Sequence, residues 1–210
     1  MTMSAKEIYR EFSRTERSLP IFSRDWCLDA AVGPDAWNVV LVQRGAQVTA
    51  AMPYVLRKRY GMTVLGQPAL TPRLGPWLRA SDANSAKRLT DEKELMQALI
   101  DQLPAFDYFN QNWHYGYTNW LPFSWNGFQQ TTYYTYVTME LGDTEKVWSR
   151  LQQNIRGHCK KASSRFNLTV RDDLPFDDFL ALNRMTYQRQ GMEMPYAESM
   201  VRRLDEACAK

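Results

Sequence analysis

The stretch WNVVLVQRGAQVTAAMPYVL, residues 37–56, decides the fold. Residues 37–43 are mostly apolar and rich in valine, which is typical of a buried β-strand. The pair Arg44-Gly45 predicts a turn, and residues 47–56 alternate well enough for a second strand. The stretch therefore predicts an antiparallel hairpin.

Helices and further strands are predicted on both sides of this hairpin. Thr90 is the expected N-cap of a helix that Pro104 ends. Residues 131–141, TTYYTYVTMEL, consist mainly of threonine, tyrosine and valine and predict the strongest strand of the chain. This order predicts a mixed α/β (α+β) protein. The other predicted elements are helices at 5–14, 21–32, 144–164, 176–189 and 196–209, strands at 62–65, 106–112 and 167–171, and a helical turn at 120–126.

Length and composition exclude several classes of protein. With 210 residues, of which 44% are apolar, the chain can bury a core, so it is neither disordered nor collagen-like. No apolar run approaches the ~18 residues of a membrane span. The charged N-terminus lacks the apolar core of a signal peptide, so we expect a cytoplasmic protein. Three cysteines without a CxxC pair, together with two histidines, predict no metal site.

The helix predicted at 144–164 is strongly basic. Between residues 143 and 171 there are seven arginines and lysines but two acids, whereas the whole chain has a net charge of only +3. Arg156 and Lys160 lie one turn apart and can hold one anion together, and a solvated helix face explains the same charges. The apolar side chains of this helix are expected to form one buried stripe of Val147, Trp148, Leu151, Ile155, Cys159 and Ala162.

Four motifs, in order along nearly the whole chain, carry a resemblance to a known family. They are VTAAMPYVLRKRYGMTVLGQPALTPRLGPWL (48–78), TYVTMEL (135–141), LQQNIRGHCKKASSRFNLTVRDD (151–173) and FLALNRMTYQRQGMEMPY (179–196). In this combination the sequence resembles FemAB-like proteins and their BioF2-like branch, which are tandem GNAT acyltransferases.

The resemblance implies a GNAT-like domain at 1–141, a basic linking helix at 142–166 and the start of a second GNAT-like domain at 167–210. A GNAT-like fold is a mixed sheet flanked by helices. Family members transfer acyl or aminoacyl groups to amines, with acetyl-CoA or aminoacyl-tRNA as the donor. The resemblance also implies an anionic or nucleotide-linked substrate, and it admits tRNA as a partner. The substrate-binding residues it implies are Arg156, Lys160, Lys161, Tyr54, Tyr187 and Arg189.

The chain departs from the family pattern in two places. Residues 167–210 supply only a strand and two helices of the second domain. Residues 81–92, SDANSAKRLTDE, offer no glycine-rich turn, and they bring two acids to the helix start where the pyrophosphate of an acyl-CoA would bind. We therefore expect a truncated acyltransferase without its donor-binding half, inactive with acyl-CoA as this chain alone.

The sequence does not assign a catalytic residue. His114 is a candidate base or a structural hydrogen-bonder, Asp172-Asp173 are catalytic acids or turn residues, and Cys159 is reactive or buried. The seven aromatic residues within 113–128 either stack a ligand or form a small core, and we expect the core. Two other classes of function stay open. One is a non-catalytic module that binds a nucleotide-sugar or RNA through the basic helix, and the other is a homodimer that covers an open strand edge.

Overall fold

The computed structural model describes residues 3–209, which form two compact units. The first holds the described residues up to Gln130 together with those from Met194, and the second is Thr131–Glu193. In chain order the elements are α1 (Ala5–Thr15), a 3₁₀ turn (Ile21–Ser23), α2 (Asp25–Val32), β1 (Trp37–Arg44), β2 (Gln47–Arg59), β3 (Met62–Gly66), β4 (Trp77–Leu78), α3 (Ser85–Ile100), β5 (Tyr108–Phe109), α4 (Leu121–Trp125), α5 (Thr144–Arg150), α6 (Gln153–Phe166), α7 (Phe176–Arg189) and α8 (Glu198–Cys208).

The first unit is built on a mixed sheet with the strand order β1-β2-β3-β5. The predicted hairpin is confirmed, since β1 pairs antiparallel with β2, with a bulge between Val42 and Gln43. β3 and the short β4 both pair antiparallel with β2, while β5 runs parallel to β3. The strand predicted at 106–112 is shorter than expected, because only Tyr108 and Phe109 find partners on β3.

Two apolar clusters form the core of this unit, one on each face of the sheet. Neighbouring residues of a strand point to opposite faces. Thus Val39 and Leu41 belong to the cluster that contains α1 and α2 side chains, whereas Val40 belongs to the cluster that contains α3 side chains. The fold class is therefore a mixed sheet flanked by helices, as the sequence predicts.

Two helix starts of the first unit differ from the prediction. The helix expected at 21–32 is a 3₁₀ turn followed by α2, because Arg24 between them has extended backbone (ψ 137°). α3 starts at Ser85 rather than at Thr90, because the Asn84 side chain accepts a hydrogen bond from the backbone N–H of Lys87 at 2.9 Å and caps the helix. The Thr90 hydroxyl instead donates to the Ala86 carbonyl inside the helix. Asp91 and Glu92 therefore lie beyond the first turn of α3, which carries Lys87 and Arg88.

The last helix, α8, belongs to the first unit, where it packs against α2. The Arg203 guanidinium on α8 donates a hydrogen bond from Nε to the Ala30 carbonyl at 2.9 Å. The family resemblance instead implies that this helix belongs to the second domain at 167–210. That grouping assumed that neighbours in sequence pack together, and the α2–α8 contact joins residues from the two ends of the chain.

The second unit contains α5, α6 and α7, and α7 has the predicted bounds. The strands predicted at 131–141 and 167–171 are absent there. Strand-forming residues need a hydrogen-bonded neighbour, and neither segment pairs with another described strand. Positive φ angles at Glu140 (60°) and Asn167 (49°) also interrupt extended backbone at these places.

The long helix predicted at 144–164 is two helices, because Leu151 and Gln152 are both extended (ψ 143° and 148°). The expected apolar stripe assumed an unbroken rotation of 100° per residue. With the break, the stripe is not buried: Ile155 and Cys159 are exposed, and neither α5 nor α6 contains a buried residue.

Candidate functional site

A cavity of about 520 Å³ in the first unit lies where α3 approaches the sheet, and residues 116–119 form another wall. Its lining is rich in charge. It contains three arginines and two acids, which are Arg44, Arg79, Arg88, Asp91 and Glu92.

The face that α3 turns to the sheet explains why charges line this cavity. Leu95, Met96 and Leu99 of this face are buried in the core. Arg88 and Glu92 continue the same face toward the helix N-terminus, past the last buried residue, and both line the cavity. This face of α3 is therefore apolar inside the core and charged beyond it.

Arg88 and Glu92 carry opposite charges one helical turn apart, and they are not joined to each other. Within residues 3–209 neither side chain forms an ion pair of 4.0 Å or less. By contrast, the neighbouring residues Lys87 and Asp91 form an ion pair, since the Lys87 ammonium lies 2.9 Å from a carboxylate oxygen of Asp91. Contact with the Lys87 ammonium lowers the pKa of Asp91 below its usual range, so this carboxylate is ionised and ion-paired.

Arg79 is held rigidly at the wall of the cavity. Its Nε donates to the Val48 carbonyl at 2.9 Å, and its guanidinium lies 3.2 Å from the Glu16 carboxylate and 5.1 Å from the centre of the Trp77 ring. Arg44 differs, since its side chain is 60% exposed and its nearest acid, Asp91, is 3.7 Å away. The more exposed guanidinium groups of the cavity are thus those of Arg44 and Arg88.

Tyr117 contributes a hydroxyl to the cavity. Its oxygen accepts a hydrogen bond from the backbone N–H of Leu78 at 3.3 Å. Burial raises the pKa of Tyr117, and the negative charge of Glu92 raises it further. The phenol is therefore neutral at physiological pH and can donate its proton in a hydrogen bond to a ligand.

The sequence-predicted binding residues do not form this cavity. Tyr54 belongs to the first unit, where it is 7% exposed within the α3-side core, and burial raises its pKa. Tyr54 points to the same face of the sheet as Met52, and its role in substrate binding stays a prediction. The other five lie in the second unit, on α6 and α7: Arg156, Lys160, Lys161, Tyr187 and Arg189.

Two of the candidate catalytic residues, His114 and Asp173, form hydrogen bonds with nearby residues of the chain. The Nδ1 atom of His114 accepts a hydrogen bond from the Gly116 N–H at 3.0 Å, and burial, followed by the charge of Arg73, lowers the pKa of this imidazole. Asp173 forms a hydrogen-bonded pair with Arg171 at 2.8 Å, as expected of a turn. Cys159 is exposed, so the expectation that it is buried is wrong.

The aromatic segment at 113–128 mainly forms core. Trp113 and Phe128 pack in edge-to-face geometry against Phe123, which is 2% exposed. Trp125 and Tyr115 are the exposed exceptions. The predicted core role is confirmed for the ring cluster around Phe123.

Sequence reasoning missed the cavity arginines, although a signal for them exists. Residues 36–81 contain six arginines and lysines and no aspartate or glutamate, so this segment has twice the net charge of the whole chain. Arg44 and Arg79 belong to it. Pairing of β1 and β4 with β2 then brings these two distant positions to one end of the sheet.

Among residues 3–209, no group of three histidine, cysteine or acidic side chains is placed to hold a metal ion. The same residues contain no helix with the length and apolar character to cross a membrane. Comparison with known proteins gives no match, whether to a family model, to a curated protein or to a solved structure.

Proposed function

We propose that the cavity of the first unit binds a small molecule that carries both an amine and an anionic group, and that this molecule is the acceptor in an N-acyl transfer of the FemAB-like GNAT type. The observation that carries the proposal is the pair Arg88 and Glu92. Two opposite charges that line one cavity and are not joined to each other suit a ligand with two complementary charges.

The order of elements supports the acyl-transfer part of the proposal. Two helices, then an antiparallel meander of β1, β2 and β3, then α3, follow the order that the sequence resemblance implies for a GNAT-like domain, apart from its opening strand. Acetyl-CoA or aminoacyl-tRNA is the donor that the same resemblance implies. In such a transfer the amine nitrogen bonds to the acyl carbon, the donor's thiol or hydroxyl leaves, and the amine gives up one proton.

The cavity offers a partner for each of these groups. Arg88 and Arg44 would bind the anionic group of the acceptor, and Glu92 would bind its ammonium group. Glu92 is also the candidate to receive the amine proton, since Asp91 is already bound to Lys87. The neutral Tyr117 hydroxyl would donate a hydrogen bond to the same ligand.

Calorimetric titration with O-phosphoethanolamine, which carries both charges, tests this assignment. Loss of a charge-assisted hydrogen bond costs about 1.5–3 kcal/mol, so Arg88→Gln and Glu92→Gln should each weaken binding by roughly tenfold to a hundredfold. Lys93→Gln and Glu94→Gln are matched controls on the same helix, since neither residue lines the cavity. Both should bind as the parent chain does.

Methyl phosphate and ethanolamine, which carry one charge each, separate the two halves of the site. Each should bind much more weakly than O-phosphoethanolamine, and Glu92→Gln should leave the weak binding of methyl phosphate unchanged. Absence of binding by the parent chain, or equal losses in the Lys93 and Glu94 variants, would refute the proposal. The enzymatic part is tested separately by release of free thiol from acetyl-CoA: because residues 167–210 supply only the start of the second domain, we expect no turnover by this chain alone, and saturable thiol release would overturn that expectation.

A second candidate function is anion binding by α6. This helix carries four cations and no acid, namely Arg156, Lys160, Lys161 and Arg165, and among the described residues none of them is ion-paired. Binding of tRNA through this helix should weaken steeply as salt is raised, because phosphate contacts release counterions. The test is a salt titration that compares the parent chain with a variant in which Arg156, Lys160 and Lys161 are glutamine.

A further inference from the structure

The end of the hairpin formed by β2 and β3 has an unusual surface. The last ladder positions pair Arg57 with Val64, Lys58 with Thr63 and Arg59 with Met62. Tyr60 and Gly61 close the hairpin as a two-residue turn, both with positive φ (52° and 79°), as a tight turn between twisted strands requires. Residues 56–62 are exposed throughout, so this part of the hairpin stands free of the core.

Three consecutive cations occupy this end of the hairpin. Arg57, Lys58 and Arg59 form no ion pair with any described residue. The acid nearest along the ladder is Asp107, whose carboxylate accepts a hydrogen bond from the Thr63 N–H at 2.7 Å. Because neighbouring residues alternate between faces, Arg57 and Arg59 lie on one face of the hairpin and Lys58 lies on the other.

Apolar side chains are exposed among these cations. Tyr60 at the turn is 86% exposed, and Met62 and Leu56 are 45% and 42% exposed. The Arg59 guanidinium lies 5.2 Å from the centre of the Tyr60 ring. The tip therefore combines an aromatic ring and a thioether with positive charge on both sides.

We propose that this hairpin tip docks on a lipid surface that carries anionic headgroups. Tyr60 and Met62 would enter the interface between headgroups and acyl chains, where aromatic side chains with a polar end are favoured. The three cations would contact headgroup phosphates and carboxylates around the tip. Charge on both faces favours this partner, since a tip that enters a lipid surface is surrounded by anions, whereas a rod-shaped polyanion contacts one face.

This surface is separate from the proposed acceptor cavity. Gln47 at the start of β2 lines the cavity, and Arg59 ends the same strand of 13 residues. At ~3.3 Å per residue the two sites are about 40 Å apart along the strand. Substitutions at the hairpin tip should therefore leave binding to the cavity unchanged, so that the two proposals can fail independently.

Co-sedimentation of the full chain with vesicles tests the proposal, using phosphatidylcholine alone and phosphatidylcholine mixed with phosphatidylserine. We expect binding only to the mixed vesicles. Each basic residue near an anionic surface contributes roughly fivefold in partitioning, so Arg57→Gln, Lys58→Gln and Arg59→Gln combined should weaken binding about a hundredfold. Tyr60→Ser should weaken it with all three cations retained.

The matched control removes the same number of charges elsewhere in the first unit, in a variant with Arg14, Arg17 and Lys93 replaced by glutamine, since none of these is assigned to a binding site. It should bind the mixed vesicles within about threefold of the parent chain. The proposal is overturned if the parent chain ignores the mixed vesicles, or if both triple variants lose binding equally. The parent chain could instead bind poly(U) tightly and not bind vesicles. If only the hairpin variant then loses binding to poly(U), the surface is assigned to nucleic acid. Unchanged thermal unfolding verifies that the variants fold.

Discussion

Asp29 joins three elements of the first unit, and its replacement by asparagine should destabilise that unit. The two carboxylate oxygens accept hydrogen bonds from both terminal nitrogens of Arg10 on α1, at 2.7 and 2.8 Å, and from the indole N–H of Trp37 on β1, at 2.8 Å. The side chains of Arg10 and Asp29 are 27% and 29% exposed, so water screens the ion pair only in part. Trp37 is 2% exposed.

The size of the effect follows from this geometry. Breaking a fully buried ion pair costs about 3–5 kcal/mol, and a surface pair contributes under about 1 kcal/mol. A pair that is about a quarter exposed and also holds a buried indole lies between these limits, so we expect Asp29→Asn to lower the free energy of unfolding by about 2 kcal/mol. Urea unfolding monitored by tryptophan fluorescence measures this change in the free energy of unfolding.

The pH dependence provides an independent check. Burial alone raises the pKa of Asp29, but the hydrogen bonds from Arg10 and Trp37 and the charge of Arg10 more than offset this, so the net pKa lies below its usual value of 3.8. A carboxyl with a lowered pKa stabilises the fold above its unfolded pKa and loses that contribution as pH falls through the folded pKa. The difference between the parent chain and Asp29→Asn should therefore shrink below about pH 4.

A double-mutant cycle separates the ion pair from other effects. Arg10→Gln combined with Asp29→Asn should cost clearly less than the sum of the single variants, since both remove the same interaction. Asp35→Asn is the matched control, because Asp35 is exposed on the loop that follows α2, and it should change stability by less than about 0.5 kcal/mol. Equal effects of Asp29→Asn and Asp35→Asn would refute the reasoning.

Three further predictions follow from local geometry. Gly75→Ala should lower the melting temperature clearly, because φ is +56° and the new Cβ would lie 2.7 Å from Cδ1 of Trp113; unchanged melting would contradict this. Asn84→Ala should lower the free energy of unfolding by about 1 kcal/mol in urea, because the α3 cap is lost, and Thr90→Ala should lower it much less. The reverse order would indicate that the helix starts at Thr90, as the sequence predicts. Burial, followed by the nearby Cys208 thiol, raises the pKa of Cys27 to about 11, so iodoacetamide at pH 8 should label the two exposed cysteines and leave this one unlabelled until unfolding, as mass spectrometry of peptides would show.

Elements with strong local signals were predictable from the sequence. The β1–β2 hairpin is encoded by its own alternation and turn, and α7 by its own periodicity. The segment 131–141 shows the limit of such signals. Its tyrosines and threonines favour a strand, but Tyr134 and Tyr136 are fully exposed, since a strand forms only when another strand supplies its hydrogen bonds.

The candidate cavity could not be predicted from the sequence, because its residues come from separate elements of the fold. The charge cluster that is visible in the sequence lies along one helix, where Arg156 and Lys160 are one turn apart. In the first unit the arginines come from separate elements, and the sheet and α3 bring Arg44, Arg79 and Arg88 to one cavity. An acid-free segment such as residues 36–81 was the accessible sign, because its six cations can pair only with distant residues or with a ligand.

The start of α3 decides how its charges are interpreted. If the helix begins at Thr90, Arg88 lies in a loop and Glu92 is an acid of the first turn, where the helix dipole alone explains it. Because the helix begins at Ser85, the same two side chains lie on the face that carries Leu95 and Leu99 into the core. This face runs past the core to the cavity wall, where Glu92 is half-buried and Arg88 is exposed. Since Arg88 and Glu92 are not paired within the described chain, a ligand with an anionic group and an ammonium group is the partner that these positions fit.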